Sequence, residues 1–405
     1  MRSDMPPDPL GVTSAPPPLR HPRRTAPGCL PGGPAAHPRP QPTSQEHTPM
    51  AAPREPDRAK VEAFMEKALG DLSGAMATAL CAIGDRLGLF KALAAHGPAR
   101  SQDLADRLDL RERYVREWLR GLTAAGYLTE PEPGTFALPP EHVPALAAES
   151  GPMFLGGVHQ MLPGLWQPYE QLVEAFRTGG GVPQAAYPPS VWDGMSRFSG
   201  SWFESVMIDD WLSTFPHVVG KLERGSHVAD VGCGAGRALI VLAKAFPRSR
   251  FTGFDVFPAQ VERARAGAQQ AGVADRVSFR VLDVAQGLPD RYDIVTTFDV
   301  IHDAADPRSL LASIRAAVKD NGDYLMLEVN SRDRPEDNTG PVASLLYGFS
   351  VFYCMTTSLA GDGAALGTCG LPEETVRTLC AEAGFREVTR SPAEDPFNVL
   401  YDVRP

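Results

Sequence analysis

The chain has 405 residues, of which 43% are apolar, and its formal net charge is −10. This length predicts two domains with additional segments, and the apolar fraction is sufficient for a sizeable core. The acidic balance argues against a dedicated nucleic-acid-binding protein, which would carry a basic surface. The six cysteines form no C-x-x-C pair, so we predict no zinc site, no disulfide framework and a cytoplasmic location. We also predict no membrane span, because no strictly apolar run has the necessary length.

Residues 1–57 form a segment rich in proline and arginine, with few aliphatic side chains. Such a segment cannot bury enough apolar surface to offset the entropy of ordering, so we predict a disordered tail. It lacks the continuous apolar stretch of a secretory signal, and its prolines oppose the helix of a transit peptide. Two alternatives remain: a targeting or interaction tail, and an extension that precedes a true start at Met50.

Residues 58–145 show the pattern of a winged-helix domain. Apolar residues recur at intervals of three and four from Val61 to Met76, which indicates an amphipathic helix. Shorter helical segments follow, and then a Pro133-Gly134 turn between two β-prone segments predicts the wing. Helices followed by a small β-hairpin are typical of a winged helix.

The last helix of this domain, in the position that reads DNA in other winged helices, carries Arg113, Arg116 and Arg120 on one face. Such a stripe can contact phosphates. Glu112 and Glu117 are interleaved with these arginines, and we therefore favour a solvated charged face. Nucleic acid is not the partner that we expect.

Residues 146–225 are predicted to be a helical connector rich in large aromatic side chains. Four of the five tryptophans lie in it, at Trp166, Trp192, Trp202 and Trp211. These rings either line a pocket for a planar, apolar small molecule or pack neighbouring domains together. For any single ring we favour packing.

Strands and helices alternate from residue 226 to residue 405, which predicts an α/β fold with a doubly wound parallel sheet. The first strand runs directly into a glycine-rich turn that opens a helix, an arrangement typical of nucleotide-binding folds. Arg237 stands where the dinucleotide fingerprint G-x-G-x-x-G needs its third glycine, so the turn does not favour NAD. Five residues of the turn are candidate cofactor contacts: Asp230, Gly232, Cys233, Gly234 and Gly236.

An acidic residue also stands at the carboxyl end of each of the next two predicted strands. Asp255, followed by Val256, is placed to accept hydrogen bonds from both hydroxyls of an adenosine ribose. Asp283 suits the amino group of adenine, with Val284 or a neighbour packed on the ring; alternatively, Asp283 caps the following turn. Phe298, at the end of the fourth predicted strand, completes the candidate cofactor set.

The pattern Asp-x-Gly-x-Gly-x-Gly resembles motif I of the class I S-adenosylmethionine (SAM)-dependent methyltransferases. Residues 58–405 resemble the actinobacterial small-molecule methyltransferases of this class that carry an N-terminal winged helix. The likeness extends to segments 301–307, 340–350, 354–359 and 366–371. It implies a Rossmann-like seven-stranded sheet, SAM as cofactor, a small-molecule acceptor, and a homodimer formed through the winged-helix domain.

A His302-Asp303 pair follows the fourth predicted strand. In the more distantly similar plant and polyketide O-methyltransferases, a His-Asp pair at this place supplies the catalytic base; the tryptophan that follows it in plant enzymes is Ala304 here. A histidine is well matched to remove a hydroxyl proton near neutrality. We therefore predict His302 as general base, the alternative being a residue that only lines or supports the pocket.

An insertion at about 331–370 begins polar, turns apolar and aromatic, and ends with several glycines. Its place after a strand end predicts either a mobile lid over the acceptor or a set of core contacts. No cluster with metal-ligand spacing accompanies it, so we expect no metal. The sequence thus predicts methyl transfer from SAM to a small molecule, with O-methylation favoured. The alternatives are a SAM-responsive winged-helix regulator of transcription and a SAM-fold enzyme with other chemistry.

Overall fold

The structure, a computed structural model, describes residues 55–405. The predicted tail up to residue 54, including the alternative start at Met50, lies outside this range. Residues Ala59–Pro405 form one compact unit, and its interior contains four hydrophobic clusters. One cluster belongs to the N-terminal domain, one to the connector, and two cover the faces of a large sheet.

The N-terminal domain is a winged helix. Its elements are α1 (Arg58–Arg86), α2 (Leu89–His96), β1 (Ala99–Arg100), α3 (Ser101–Leu108), α4 (Glu112–Ala124), β2 (Thr129–Glu132) and β3 (Thr135–Ala137). The three strands pair antiparallel in the order β1-β3-β2. In the core, the rings of Phe90 and Trp118 meet edge to face with centroids 5.1 Å apart. The first predicted helix is confirmed as α1, but α1 extends beyond the apolar repeat that ended at Met76 and continues without a break to Arg86.

A 3-10 turn at Pro140–His142 and α5 (Val143–Leu146) end the winged-helix domain. Short helices then fill the connector: α6 (Gly156–Leu165), α7 (Tyr169–Thr178), α8 (Pro189–Ser205), a π-helical turn at Met207–Trp211, and α9 (Pro216–Arg224), with 3-10 turns at Gln184–Ala186 and Leu212–Thr214. Helices α6 and α8 lie so close that a Cβ atom on Gly157 would come within 2.5 Å of the backbone nitrogen of Phe198. Glycine at position 157 is therefore required for this packing.

Arg197 links the winged helix to the connector. Arg197 of α8 donates to Asp85 of α1 (2.8 Å), to Gln160 (2.8 Å) and to Glu149 (3.0 Å), and its guanidinium lies 5.2 Å from the centroid of the Phe154 ring. The Asp85 side chain is only 5% exposed. Burial by itself would lower the pKa of Arg197, but the Asp85 and Glu149 carboxylates outweigh it and raise that pKa.

We expect Arg197→Met to lower the free energy of unfolding by about 2–4 kcal/mol, because it leaves the buried Asp85 carboxylate without its partner. Chemical denaturation of the full chain measures this change. Arg177→Met is the control, since Arg177 is 70% exposed and meets Glu174 at 3.5 Å; it should change stability little. An equal effect in both variants would contradict the assigned role of Arg197.

The C-terminal part is built on a seven-stranded sheet. Its strands are β4 (His227–Val231), β5 (Arg250–Asp255), β6 (Val277–Val281), β7 (Tyr292–Phe298), β8 (Val318–Val329), β9 (Glu387–Arg390) and β10 (Asn398–Arg404). They are ordered β6-β5-β4-β7-β8-β10-β9. Strand β10 runs antiparallel to β8 and β9, and all other neighbouring strands pair parallel. The predicted doubly wound, seven-stranded sheet is confirmed, and its last two strands pair antiparallel.

Helices cover both faces of this sheet, so the strands are buried on both sides. The helices are α10 (Arg237–Ala245), α11 (Pro258–Gln270), α12 (Pro307–Ala317) and α15 (Glu373–Glu382), with 3-10 turns at Val284–Gln286 and Pro335–Asp337. Residues of α10 and α11 share one hydrophobic cluster with the connector, and residues of α12 and α15 share the other. The carboxyl ends of the parallel strands are left for a ligand.

One segment among the described residues, Gly340–Ala360, is long and apolar enough to cross a membrane by length and composition alone. It comprises α13 (Gly340–Phe349), a π-helical turn at Ser350–Cys354 and α14 (Met355–Ala360). The sequence expectation missed it because Ser, Thr and Tyr interrupt the apolar residues. Gln184 donates to the Tyr353 hydroxyl (2.6 Å), and the Val182 N–H donates to the Thr356 hydroxyl (2.9 Å). The segment thus packs on the connector, within the compact unit.

Candidate active site

The glycine turn joins β4 to α10 in a conformation that favours glycine. Gly232, Gly234 and Gly236 have φ angles of +70°, +50° and +73°, which L side chains rarely adopt. The N–H groups of Gly232 and Cys233 donate to the carbonyl oxygen of Phe254, at 2.8 and 3.0 Å. The turn is therefore fixed to the end of the neighbouring strand.

Two of these glycines face different surroundings. A Cβ atom on Gly236 would lie 2.5 Å from the Phe279 ring and 3.0 Å from Ala264, whereas a Cβ atom on Gly234 would meet no atom within 4 Å. Gly236 thus allows the helix to pack against the sheet. Gly234 lies beside open space, where a ligand could approach the backbone closely.

The Asp255 carboxylate, only 8% exposed, closes the turn from the end of β5. One oxygen accepts from the Gly234 N–H and the other from the Phe257 N–H, each at 2.9 Å. Burial raises the pKa of Asp255, while these backbone donors oppose the rise. Each oxygen retains a further lone pair for a ligand hydroxyl.

Asp230 lies behind the turn. It is 2% exposed, and Thr296 of β7 donates to it at 2.7 Å. Burial raises its pKa to about 7, although the Thr296 hydroxyl lowers it. Asp230 therefore contacts the neighbouring strand β7 and supports the glycine turn from the protein interior.

The other predicted cofactor residues surround the same strand ends with differing exposure. Asp283 accepts from the Ala285 N–H at 3.1 Å and from the Gln286 side chain at 2.9 Å, so it caps the next turn, as the alternative interpretation had it. Val284 is 4% exposed and belongs to the hydrophobic core, whereas Val256 is 49% exposed. The Phe298 ring packs edge to face on Phe203, 5.1 Å between centroids.

His302 is buried after β7, and its ring lies between two carboxylates. Its Nδ1 atom is 2.6 Å from Glu328, and its Nε2 atom is 3.2 Å from Asp303. Burial alone would lower the pKa of His302, but Asp303 and Glu328 together raise it well above the ordinary 6.5. The two carboxylates therefore favour the imidazolium form of His302.

Glu328, which the sequence reasoning missed, fixes the orientation of His302. It is 0% exposed near the end of β8, and its second oxygen accepts from the Ile301 N–H at 2.8 Å. The signal that could have found it is its place: an acid at the carboxyl end of the strand next to the one that precedes His302. A carboxylate on Nδ1 selects the tautomer in which Nε2 carries the free lone pair.

Asp299 and Cys354 complete the surroundings of His302. Asp299 has a left-handed φ of +55° and accepts from Asn398 at 3.3 Å; burial, followed by the nearby Glu328, raises its pKa to about 7. Cys354, in the π-helical turn, brings its sulfur within 4.8 Å of the donor atoms of His302 and Asp303. The predicted insertion thus reaches the histidine, as helices rather than as an irregular loop.

The sheet order, the glycine turn and the acid at the end of β5 together define the class I methyltransferase fold. Residues 222–345 match the family model described as a methyltransferase domain, and residues 75–148 match that of the Rv2258c-like winged HTH domain. The chain therefore carries a methyltransferase domain behind a winged-helix domain.

Known proteins are similar to part or to most of this chain. The ubiquinone biosynthesis O-methyltransferase of Pseudomonas syringae pv. tomato is 27% identical over 142 residues, which are 34% of this chain and 57% of that enzyme. The mitomycin 7-O-methyltransferase MmcR has a TM-score of 0.63 at 21% identity, over 85% of this chain and 99% of that chain. Human N-acetylserotonin methyltransferase in complex with SAM has a TM-score of 0.61 at 19% identity, over 87% and 99%. The two structures establish the likeness of fold.

Proposed function

We propose that the protein transfers a methyl group from SAM to a hydroxyl group of a small molecule. The methyltransferase domain and the O-methyltransferase among its relatives support the reaction class. The observation that carries O-methylation is the His302-Glu328 pair, since a neutral hydroxyl needs a base before it becomes a good nucleophile. The reaction requires no metal ion, because the sulfonium of SAM is already an activated methyl donor.

We propose that SAM binds across the carboxyl ends of β4 and β5. The open space beside Gly234 would admit its methionine half, and the remaining lone pairs of Asp255 would accept from the ribose hydroxyls. Asp283 and the exposed Val256 would border the adenine, while Asp230 and Val284 would support this surface from the interior. Gly232, Cys233, Gly236 and Phe298 would shape it.

In the proposed mechanism, the protein aligns the acceptor oxygen with the methyl carbon and removes the acceptor proton. His302 takes that proton on Nε2 as the oxygen–carbon bond forms and the carbon–sulfur bond breaks. Glu328, hydrogen-bonded to Nδ1 at 2.6 Å, holds the ring and stabilises the resulting imidazolium. The proton then passes to solvent after product release.

We expect kcat to rise with pH, through an apparent pKa well above 6.5. Asp303 and Glu328 stabilise the imidazolium, which cannot accept a proton, so activity is lost as the pH falls through the raised pKa. The test is kcat at saturating substrates from about pH 6 to about pH 10. Glu328→Gln should shift the profile towards acid. A flat profile, or one that falls with pH, would exclude this role for His302.

We propose that two copies of the chain associate through α1. One face of this helix exposes Phe64, Met65, Leu69, Leu72 and Met76, each by 61–70%. An apolar stripe several helical turns long is unusual on a monomer surface. Two copies related by a two-fold axis would bury the same stripe on both partners.

Leu69→Glu with Met76→Glu is expected to convert the dimer to a monomer, because it places charges in the centre of the proposed interface. Size-exclusion chromatography with light scattering measures the mass. Ala63→Glu with Gly70→Glu is the matched control, since both positions are exposed on the opposite face of α1. Dimers in both variants, or a monomeric wild type, would exclude this interface.

The winged helix offers little support for the alternative of a DNA-binding regulator. Arg113 pairs with Glu117, and Arg116 pairs with Glu112 at 3.0 Å, so two of the three arginines on the helix face are already neutralised. We also propose a cytoplasmic location, which agrees with the free state of the five cysteines among the described residues.

A further inference from the structure

Three metal-binding side chains meet at the proposed base: the adjacent His302 and Asp303, and Cys354, which is distant in the sequence. The donor atoms of His302, Asp303 and Cys354 all lie within 4.8 Å of one another, and the His302 Nε2 to Asp303 oxygen distance is 3.2 Å. His302 and Cys354 are 4% and 7% exposed, whereas the Asp303 side chain is 33% exposed. One side of the cluster is therefore accessible.

This set of donors matches a particular class of ion. Imidazole nitrogen, thiolate sulfur and carboxylate oxygen are the ligands of Zn²⁺, at about 2.0–2.3 Å, so tetrahedral ligand atoms stand roughly 3.3–3.7 Å apart. Since the donor atoms lie within 4.8 Å of one another, metal binding requires side-chain adjustments of at most roughly 1.5 Å. Three protein ligands with an accessible fourth position are typical of an open zinc site.

Glu328 supplies the second feature of such a site. It contacts Nδ1 of His302 at 2.6 Å, so Nε2 is the nitrogen that faces Asp303 and Cys354. A histidine ligand to zinc usually has a carboxylate or carbonyl on its other nitrogen, which fixes the ring and strengthens the ligand. The same arrangement therefore serves a base and a metal ligand equally well.

Thr368 provides an independent indication beside the sulfur. It is 4% exposed, and its hydroxyl has no hydrogen-bond partner of normal geometry. The Thr368 hydroxyl lies against the Cys354 sulfur, so it could donate to a Cys354 thiolate.

We propose that His302, Asp303 and Cys354 form a binding site for a divalent ion of the Zn²⁺ class, and that the bound ion switches the enzyme off. Binding forms a nitrogen–metal, an oxygen–metal and a sulfur–metal bond. It releases to solvent the proton of the Cys354 thiol and any proton that Nε2 of His302 carries. The ion then occupies the lone pair that would accept the substrate proton. The metal site does not depend on the proposed methyl transfer, whereas the inhibition rests on that proposed function.

The binding test uses Co²⁺ as a spectroscopic substitute for Zn²⁺ on the full-length protein. Wild type is expected to develop a thiolate-to-cobalt charge-transfer band at one equivalent, which Zn²⁺ then abolishes. Cys354→Ser should lose the band, and Asp303→Asn should weaken binding by about 10-fold or more. Cys380→Ala is the control, since Cys380 lies in α15 within the core and should keep the band. No band in wild type, or a band that persists in Cys354→Ser, would overturn the proposed site.

The inhibition test is separate. Zn²⁺ should reduce methyl transfer by wild type at the concentration that displaces Co²⁺, and the reduction should be reversed by a chelator. Cys354→Ser should resist Zn²⁺ over that range. Displacement of Co²⁺ without inhibition would overturn the switch and would also contradict His302 as base, while leaving the metal site in place.

Discussion

His302→Ala is expected to lower kcat by about 10²- to 10⁴-fold, because the acceptor hydroxyl then loses its proton only to water. SAM affinity should change little, since the proposed SAM contacts lie on β4 and β5. Single-turnover kinetics with SAM in excess measures the chemical step, and a SAM titration reports the integrity of the binding site. His302→Gln gives a second variant of similar size should the alanine variant fold poorly.

Glu328→Gln should reduce kcat by about 10- to 100-fold. Glutamine keeps a hydrogen-bonding group beside Nδ1 but removes the charge that stabilises the imidazolium. The distinctive sign of a positioning role is an accompanying acid shift of the pH profile, which a merely structural defect would not produce.

Unchanged single-turnover rates in the His302 variants at every pH would exclude general-base catalysis by His302.

Gly236→Ala is expected to cost about 2–4 kcal/mol of folding stability. The new Cβ atom would adopt a φ of +73° and lie 2.5 Å from the Phe279 ring, which adds backbone strain to overpacking. Gly234→Ala is the matched comparison, because it has a positive φ with no atom within 4 Å. It should cost only about 1 kcal/mol.

For SAM affinity we expect the reverse order, with the larger loss in Gly234→Ala. The Cβ atom of Gly234→Ala would project into the proposed SAM site, so we expect an affinity loss of at least about 10-fold at nearly normal stability. Thermal unfolding and calorimetric titration of both variants measure the two effects. Normal SAM affinity in Gly234→Ala would contradict the proposed position of the methionine half.

The sheet and its glycine turn could be predicted from sequence because their signals are local. Strands β4, β5 and β7 are each an apolar run that ends at or just before a glycine or an acid, which is a local signal that predicts a strand and its end. The left-handed conformation of Gly232, Gly234 and Gly236 follows from their spacing between a strand and a helix. Likewise, Asp283 caps a turn only two residues further along the chain, so this capping role could be foreseen from the local sequence.

The surroundings of His302 could not be predicted in the same way, because they are assembled over long range. Glu328 is 26 residues from His302, and Cys354 arrives on a helix whose packing against the connector involves Gln184 and Tyr353. No spacing rule relates these residues. For the same reason, the expectation of no metal, which rested on local spacing, did not foresee the His302-Asp303-Cys354 cluster.

Methyl transfer from isotope-labelled SAM tests the central claim most directly. The full chain and His302→Ala would be incubated with labelled SAM and a panel of hydroxyl-bearing aromatic small molecules, and products would be identified by mass spectrometry and NMR. We predict a labelled methyl group on an oxygen atom, with one S-adenosylhomocysteine released per product, and loss of the product in the variant. Labelling of carbon or nitrogen instead, or equal turnover by wild type and His302→Ala, would contradict an O-methyltransferase that relies on His302.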